Sequence, residues 1–461
     1  QQMTRLPEST VFLCRSFKIM ERIVKIGNGI SGITTARNVR KQNSQAQIIV
    51  ISSETKYFFS RTALMYAYMG HMKKEHMKPY EDNFWAKNRI ELCFAHVNTI
   101  DFNNQKLHFS NGKQSNYTKL VLALGSKPNK FGWLGQDLDG VQGLYSYNDL
   151  ELMEENSKNL RKAVIVGGGL IGVEMAEMFR SRNIEVDFLV RENRFWGNVL
   201  PKEEGDLVHR HIGEHGVKLL LETNLLEILS DENGRVRAVK TDTHGEIECQ
   251  FVGLTAGVSP NIQFLKEAEL ETDRGIVVNE FLETSQPNVY ALGDCAQFKV
   301  APKGRRNIEQ VWYTGRMMGE TLAKTLTGKK TEYKPGNWFN SAKFFDIEYQ
   351  TYGVVSAQVE EENEQFYWEH TNGRLGVKFV FNKSSEQFVG INTFGIRMRH
   401  ELFDKWLTQS KSIDFVMEHL EDVNFDPELY KQYGSEIVNA YNGHFGKNIQ
   451  IKKKKWARIF S

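Results

Sequence analysis

Two stretches of the sequence share one pattern: AVIVGGGLIGVEMAE at residues 163–177 and RIVKIGNGISGITTARN at residues 22–38. Each begins with an apolar run typical of a buried strand, continues through a glycine-rich turn, and ends in a run typical of a helix. Both glycine sets have the spacing G-x-G-x-x-G. One such match alone is weak, but two in the same context predict two dinucleotide-binding βαβ units in one chain.

The three glycines of each turn have separate physical roles. The first permits a tight turn, the second lets the backbone approach a pyrophosphate, and the third lets the helix pack on the strand. The helix N terminus then offers free N–H groups and the positive end of its dipole to the phosphates. The residues expected in these roles are Gly27, Gly29 and Gly32 in the first turn and Gly167, Gly169 and Gly172 in the second.

The residues after the second strand of each unit distinguish the two sites, because an acidic residue about 20 positions after the turn binds ribose hydroxyls. In the first unit Glu54 follows the strand QIIVIS and would bind a ribose; the alternative is a solvated loop glutamate. In the second unit Arg191, Glu192 and Arg194 follow the strand EVDFLV. An arginine there would hold a 2′-phosphate, whereas Glu192 would hold a ribose. We favour NADPH over NADH, and a solvated turn is the third interpretation.

Two dinucleotides, one resident and one visiting, would explain the duplicated turn. If FAD is resident and NAD(P)H is the visitor, hydride passes from the nicotinamide to the flavin within one chain. The proximity of two stacked rings then supplies most of the catalysis. That step needs no general base, which agrees with the lack of a catalytic His or Cys constellation.

The composition narrows the class of protein. Hydrophobic residues make up 40% and charged residues 25% of 461 residues, which is ordinary globular usage for two or three domains. A net charge of +2 gives no argument for a nucleic-acid partner. The four cysteines form no C-x-x-C pair and the histidines show no spacing such as H-E-x-x-H, so we expect neither a metal site nor a disulfide framework. This cysteine usage fits a reducing compartment, and we expect a cytoplasmic protein.

The pattern of the sequence changes near residue 335. Before it, apolar strands alternate with helical segments, which indicates parallel sheets with helices on both faces. After it, segments such as QFYWEH and RLGVKFVFN, separated by turn residues such as Asn372-Gly373, are typical of antiparallel strands. The stretch RHELFDKWLTQSKSIDFVMEHL is typical of one or two amphipathic helices.

Three further segments carry a resemblance to a known family: YTKLVLALGSKP (117–128), GLTAGVSPN (253–261) and GIVVNEFLETSQPNVYALGDCAQF (275–298). With the two turns, their order and spacing resemble those of the pyridine nucleotide-dependent flavoprotein reductases over about residues 20–330. The branch includes ferredoxin and rubredoxin reductases, the flavin part of nitrite reductases, and apoptosis-inducing factor. The resemblance implies FAD and NAD(P)H as cofactors.

The fold class predicted from these observations is α/β, with two doubly wound, Rossmann-like dinucleotide-binding domains and a C-terminal α+β interface domain. The expected ranges are 1–19 for a tail or extension, 20–145 with 272–330 for a discontinuous FAD-binding domain, 146–271 for an NAD(P)H-binding domain, 335–446 for the C-terminal domain and 447–461 for a basic tail.

The resemblance implies further contacts with FAD. Asp294, after Gly293 at the end of a buried strand, would bond a ribityl hydroxyl. A helix starting near Cys295 would aim its N terminus at the flavin ring, with Cys295 itself serving packing or chemistry. Gln310 or Trp312 would cover the isoalloxazine, and a core aromatic is the alternative for Trp312. The residues assigned to FAD are Gly27, Gly29, Gly32, Glu54, Arg61, Ala123, Gly125, Gly293, Asp294, Gln310 and Trp312; those assigned to NAD(P)H are Gly167, Gly169, Gly172, Glu174, Arg191, Glu192 and Gly257.

Two residues are assigned a supporting role in catalysis, and none a direct one. Arg61, in KYFFSRTALMYAYMG (56–70), stands where peroxidase-like relatives place a redox cysteine, and it resembles the arginine of the R-x-x-L-S stretch of ferredoxin and rubredoxin reductases. The serine and nearby lysine of the family are replaced by Met65 and Tyr66. Glu174 resembles the family glutamate at the nicotinamide end, although as plain sequence it is equally an ordinary helix residue.

The expected activity is that of a flavoprotein oxidoreductase that passes hydride from NAD(P)H to FAD and electrons to an external acceptor such as a ferredoxin- or rubredoxin-like protein. The first domain has no cysteine pair from which a redox disulfide would form. The alternatives are a peripheral NADH:quinone reductase and a redox-gated flavin-bound interaction protein like apoptosis-inducing factor. The segment KKKKWARIF (452–460) would bind an acidic carrier or an anionic membrane surface, or would be a solvated tail. The C-terminal domain could pair in a homodimer.

Overall fold

The computed structural model describes residues 21–425, 429 and 431–452. The predicted N-terminal extension (residues 1–19) and residues 453–461 of the predicted basic tail lie outside the described residues. Within the described ranges, no helix combines the length and the apolar composition that crossing a bilayer requires.

Short strands and helices alternate along the first two thirds of the chain. The elements up to residue 142 are β1 (Arg22–Ile26), α1 (Ile30–Gln42), β2 (Gln47–Ser52), α2 (Leu64–Tyr68), α3 (Phe84–Lys87), β3 (Ile90–Phe94), β4 (Val97–Asp101), β5 (Lys106–Phe109), β6 (Gln114–Asn116), β7 (Lys119–Leu122), β8 (Ser126–Pro128) and β9 (Val141–Gln142). Those up to residue 260 are α4 (Tyr147–Asn156), β10 (Lys162–Val166), α5 (Leu170–Arg180), β11 (Glu185–Leu189), α6 (Lys202–Glu214), β12 (Val217–Leu220), β13 (Leu225–Ser230), β14 (Val236–Thr241), β15 (Gly245–Glu248), β16 (Phe251–Leu254) and β17 (Val258–Pro260).

The remaining elements complete the first sheet and build the C-terminal part. They are β18 (Ile276–Val278), β19 (Val289–Ala291), β20 (Ala296–Phe298), α7 (Trp312–Leu326), β21 (Phe339–Phe344), β22 (Ile347–Gly353), β23 (Asn363–Glu369), β24 (Gly376–Asn382), β25 (Phe388–Phe394), α8 (His400–Thr408), α9 (Ile413–Glu418) and α10 (Gly434–Phe445). Single 3-10 turns lie at Arg61–Ala63, Lys74–Met77, Gln263–Leu265, Gly293–Cys295 and Leu420–Val423.

Two five-stranded parallel sheets have the same plan. The first α/β unit has the strand order β19-β7-β1-β2-β3, and the second has β12-β11-β10-β16-β9. In each sheet the strand that leads into the glycine turn, β1 or β10, lies between its successor and a much later strand. The turn therefore stands at a topological switch point, where open α/β sheets bind ligands. The α/β fold class predicted from the sequence is confirmed.

The C-terminal part is an antiparallel sheet with the strand order β21-β22-β25-β24-β23, as the turn residues and alternation predict. Helices α8, α9 and α10 cover it and share one hydrophobic core with it. A different core joins this sheet to the second unit, because Phe344 and Phe394 pack in one cluster with Phe188 and Phe195. The sheet thereby packs against both α5 and α6 of the second unit.

One sequence-based expectation is wrong. A helix was expected to start near Cys295, but Gly293–Cys295 form only a single 3-10 turn and the chain continues as strand β20. Residues Ala296–Phe298 are buried and pair with β18. This pairing satisfies backbone N–H and C=O groups that would point away from the sheet if the segment were a helix. The helix next along the chain is α7, which starts at Trp312.

The chain passes between the two α/β units over two stretches. Strand β9 pairs with β16 of the second sheet, and β8 pairs with β17. Leu265 and Leu270 are already buried in the core of the first unit. We propose that the domain boundaries lie within residues 126–142 and 258–270, close to those expected from the sequence.

A lysine is buried in the centre of the first sheet. Lys25, on β1, has no exposed surface, and its Nζ has no hydrogen-bond partner. Burial, and then the charge of Arg40, lower the pKa of Lys25 from 10.5 to about 7. The folded state therefore disfavours the charged form of this side chain.

Replacing Lys25 with methionine is expected to stabilise the protein. At pH 6 the lysine is charged in both folded and unfolded chains, so Lys25→Met should remove a cost of about 1–4 kcal/mol. The gain should shrink as the pH rises from about 7 towards 10.5, because the lysine then becomes neutral in the folded state. Melting temperatures at pH 6 and pH 9 measure the effect, with exposed Lys41→Met as the control. An equal gain at both pH values would contradict this account.

Candidate functional site

The first glycine turn is closed on its protein side and open at its tip. Gly27 has φ +110°, and a Cβ on it would lie 2.0 Å from the carbonyl oxygen of Ala123. A Cβ on Gly32 would lie 2.2 Å from the carbonyl oxygen of Gly27. Gly29, at the N terminus of α1, would meet nothing within 4 Å. Protein packing therefore demands the outer two glycines, whereas the middle one leaves room for a ligand.

The second turn repeats this arrangement. Gly167 has φ +115°, and a Cβ on Gly172 would lie 2.5 Å from the Phe188 ring. Gly169, at the N terminus of α5, again meets nothing within 4 Å. Thr255, after β16, donates a hydrogen bond of 3.2 Å to the carbonyl of Gly167. A Cβ on Gly167 would lie 2.7 Å from the backbone of Ala256, so the next residue, the predicted Gly257 with φ +81°, lies close to the second turn.

Glu54 and Arg61 form a two-point ion pair. Arg61 Nη1 and Nη2 lie 2.9 and 2.8 Å from the two carboxylate oxygens of Glu54, and the backbone N–H of Tyr147 donates to the same carboxylate at 2.8 Å. A carboxylate has about four acceptor positions, so this arrangement leaves one for a ribose hydroxyl. Burial opposes the charge on Arg61, but the hydrogen bond and charge of Glu54 raise the pKa of Arg61.

A chain of polar contacts continues from Arg61 towards α7. The Arg61 guanidinium lies 4.5 Å from the Tyr145 ring centroid, and Tyr145 donates its hydroxyl to Asp294 at 3.1 Å. The same hydroxyl accepts the Ser126 backbone N–H at 2.8 Å, and Gln310 Nε2 donates to Ser126 Oγ at 2.7 Å. Five predicted FAD residues, Glu54, Arg61, Gly125, Asp294 and Gln310, are thus brought to one locus by Tyr145 and Ser126, which the sequence did not single out.

Asp294 is the most enclosed acid of this chain of contacts. Burial raises its pKa, while hydrogen bonds from Tyr145 and Ser126 and the charge of Arg61 hold it down. Gly293 has φ +73°, and a Cβ there would lie 2.3 Å from Ser31 Oγ on α1. This close approach places the Asp294 loop beside the first turn. Trp312 is half-buried at the first turn of α7 rather than in the core.

A second polar group lies where α2, α5 and the C-terminal sheet meet. Lys343, on β21, pairs with Glu177 of α5 at 2.6 Å, and its ammonium lies 5.4 Å from the Tyr66 ring centroid. Glu174 lies one turn earlier on α5 and is half-buried. Burial, then the charge of Glu177, raise the pKa of Glu174 to about 7, against an opposing effect of Lys343.

Sequence reasoning found Glu174 but missed Lys343. Tyr66 stands where the family stretch has a lysine, and the ammonium of Lys343, from the C-terminal sheet, lies 5.4 Å from its ring centroid. No signal in the sequence links these positions, because β21 approaches α5 only through the packing of the C-terminal sheet.

Arg191 and Glu192 follow β11, as expected. Arg191 Nη2 lies 3.0 Å from Glu192 Oε1, and the side chains are 74% and 27% exposed. Asn198 Nδ2 donates to the same Glu192 oxygen at 3.4 Å. Glu192 is therefore the better-positioned of the two side chains, and its charge partly neutralises that of Arg191.

Comparison with known proteins identifies the family of this chain. The family model described as pyridine nucleotide-disulphide oxidoreductase matches residues 21–319, and the chain belongs to this family. It is 30% identical over 350 residues to an NADH oxidase of Methanocaldococcus jannaschii, covering 73% of this chain and 76% of that protein. It is 29% identical over 322 residues to a rubredoxin-NAD(+) reductase of Acinetobacter baylyi, covering 68% and 80%.

Solved structures show the same fold. An NAD-dependent persulfide reductase from A. fulgidus superposes with a TM-score of 0.81 at 23% identity, covering 92% of this chain and 84% of that one. Together, family and fold make the chain an NAD(P)H-dependent flavoprotein oxidoreductase, and the predictions of FAD and NAD(P)H as cofactors are confirmed. The open space at Gly29 and Gly169 is compatible with the approach of a pyrophosphate that the sequence predicts at each turn.

Gly29 and Gly32 should respond differently to alanine. Gly29→Ala meets no protein atom, so the FAD-free protein should melt within about 2 °C of the original. Its FAD affinity should nevertheless fall roughly tenfold or more, about 1.4 kcal/mol, because the added methyl group stands at the phosphate approach. Gly32→Ala should instead destabilise the FAD-free fold through its 2.2 Å clash.

Melting curves of the FAD-free proteins and fluorescence titration with FAD separate the two effects. Gly443→Ala, at an open position on α10, is the matched control. Unchanged FAD affinity in Gly29→Ala would contradict the assignment of the first turn.

The raised pKa of Glu174 gives a stability test. Its ordinary pKa is 4.5 and its folded-state value is about 7, so the charged form costs the folded state free energy that grows between these pH values. Glu174→Gln should therefore stabilise the protein by about 1–2 kcal/mol at pH 8 and by little near pH 5. Melting temperatures at both pH values measure this difference. Exposed Glu185→Gln is the control, and a gain at pH 5 equal to that at pH 8 would refute the assignment.

Proposed function

We propose that this chain carries electrons from NADH through FAD to an external acceptor, a small iron–sulfur protein of the rubredoxin or ferredoxin type. When bound, FAD supplies the hydride acceptor and the change from two-electron to one-electron chemistry. The chain supplies binding, orientation and the charge around the ring. The relative named rubredoxin-NAD(+) reductase supports this choice of acceptor.

The environment of Arg61 is the observation that carries the proposal. In the sequence, Arg61 stands where the resemblance places the redox cysteine of peroxidase-like relatives, and in the structure its guanidinium pairs with Glu54 at 2.8 Å. Of the described cysteines, Cys93 lies on the edge strand β3, and Cys249 is in the core of the second unit. Cys295 Sγ accepts a backbone N–H at 3.3 Å from Leu124. Burial raises the pKa of Cys249 and Cys295 to about 12, which keeps both as unreactive thiols. The positions of these three cysteines favour an acceptor outside the chain.

NADH is the proposed donor, in place of the NADPH favoured from sequence. The guanidinium of Arg191 is already paired with Glu192, and the Glu192 carboxylate would repel a 2′-phosphate. A free ribose instead finds an acceptor in the Glu192 carboxylate. Both relatives described above are named for NADH or NAD(+).

The remaining residues take roles that follow from their positions. We propose that the first turn with Glu54 binds the FAD diphosphate and ribose, and that Asp294 binds a ribityl hydroxyl. Gln310 and Trp312, at the start of α7, would line the ring, while Arg61 fixes Glu54 and Tyr145. Glu174 would face the nicotinamide with its proton partly held near neutral pH.

The two half-reactions can be measured separately. In anaerobic stopped-flow mixing, NADH should bleach the flavin absorbance at least about tenfold faster than NADPH at equal concentration, as expected for a 1.4 kcal/mol preference. The NADH-reduced protein should then reduce rubredoxin faster than it reduces oxygen. The thiols should not take part, so Cys93→Ala and Cys295→Ala should keep both rates within about twofold.

Three outcomes would count against the proposal. Faster reoxidation by oxygen than by the carrier protein would indicate an oxidase. Loss of carrier reduction in a cysteine variant, with bleaching intact, would indicate a thiol relay. No bleaching by either nucleotide would exclude the reductase function.

A further inference from the structure

Two histidines of α6 and its end face one carboxylate of the C-terminal sheet. His211 and His215 are four residues apart, so they lie on one side of the helix axis. Asp346 stands in the tight turn between β21 and β22. The nitrogen and oxygen atoms offered by the three side chains all lie within 4.8 Å of one another.

The hydrogen bonding of His215 leaves its outer nitrogen available. Nδ1 of His215 lies 2.9 Å from the carbonyl oxygen of His211, to which it donates. In the neutral form of the ring, Nε2 then carries the lone pair; this atom lies 3.4 Å from Asp346 Oδ1. Two ligands bound to one tetrahedral ion at about 2.0–2.1 Å are separated by roughly 3.3–3.4 Å.

His211 is buried without a satisfactory partner. Its side chain is 1% exposed, and neither ring nitrogen makes a hydrogen bond of acceptable geometry. Nε2 nevertheless lies 2.5 Å from Asp346 Oδ1. The buried His211 ring and the Asp346 carboxylate are close together, but their atoms are not aligned for a hydrogen bond. A cation bound between them would satisfy both groups.

The neighbouring residues fix the backbone of the turn that carries Asp346. Phe345 has φ +56°, a conformation that costs a bulky side chain free energy. Its ring stacks on His215 with centroids 4.3 Å apart, so the turn and the helix end are locked together. Asp346 itself is 61% exposed and can rotate to widen its short contact with His211.

The charged side chains around His211, His215 and Asp346 slightly favour the binding of a cation. Glu214 Oε2 lies 3.7 Å from His211 Nδ1, and Arg374 pairs with that glutamate at 3.0 Å. On the α5 side, Glu177 is close enough for His215 to influence its pKa, and Lys343 pairs with it. Arg374 and Lys343 are thus each matched by a carboxylate, and Arg180 donates to the backbone carbonyl of His215 at 3.1 Å. The charge of Asp346 is left to the two histidines.

We propose that His211, His215 and Asp346 form a binding site for a divalent transition-metal ion of the zinc type, which ties α6 of the second unit to the C-terminal sheet. Two neutral imidazoles and one carboxylate suit zinc better than magnesium or calcium, which prefer oxygen ligands. The exposed side of Asp346 leaves a fourth position for water. No metal site is predicted from the sequence, because the third ligand is distant along the chain.

Zinc and cobalt titrations of the tag-free, FAD-loaded protein, freed of metal with a chelator, test this site. Zn²⁺ should bind one to one and raise the melting temperature, since an ion that binds only the folded state stabilises it. Co²⁺ should give the visible absorption bands of a tetrahedral ion at wavelengths longer than the flavin bands. Mg²⁺ should do neither.

Asp346→Asn and His215→Ala, both at partly exposed positions, should weaken Zn²⁺ binding at least about 100-fold and abolish the cobalt spectrum while leaving flavin bleaching by NADH unchanged. His209→Ala, on the same helix but outside the cluster, is the matched control and should bind as the original does. Equal Zn²⁺ affinity in Asp346→Asn, or no binding below about 100 μM in the original, would overturn the site. These measurements do not depend on the electron acceptor. A failure of the metal site can therefore be distinguished from a failure of the proposed function.

Discussion

The close approach of backbone to backbone at the two glycine turns is the constraint on which the rest of the structure depends. At Gly27 and Gly32 the space that a Cβ would need is taken by carbonyl oxygens of the same sheet region, so β1, α1 and the end of β7 form one rigid corner. Gly167 and Gly172 build the same corner in the second unit. Only the middle glycine of each turn faces open space, and both helix N termini therefore point to where a phosphate can enter.

A chain of polar side chains fixes the surroundings of the first corner. The ion pair of Glu54 and Arg61 is continued by Tyr145 and Asp294, whose segments come from separate parts of the chain. Such an enclosed network is stable only while each member keeps its partner. It therefore sets the geometry of the first site before a ligand arrives, which is what efficient positioning requires.

The C-terminal sheet contributes side chains to two polar clusters of the second unit. Lys343 brings a cation to Glu177 and near Glu174, and the turn at Asp346 meets two histidines of the second unit. Both contacts follow from the aromatic core that Phe344 and Phe394 share with Phe188 and Phe195. The same C-terminal sheet thus contacts both α5 and α6 of the second unit.

The sequence alone determined the features that depend on local pattern. These are the two strand–turn–helix units, the parallel and antiparallel sheets, and the glycines of the two turns, whose spacing indicates the physical role of each. It also assigned Glu54, from its position after the second strand, and Arg61, Asp294 and Gln310, from a family resemblance, to one predicted cofactor site. The structure brings these four side chains into one chain of contacts. It misjudged the segment after Cys295, where pairing with β18 outweighs helix formation. Tertiary structure alone decided the partners, such as Tyr145 for Asp294, Lys343 for Glu177 and Asp346 for the histidines, because contacts between residues far apart in the chain leave no periodic signal in it.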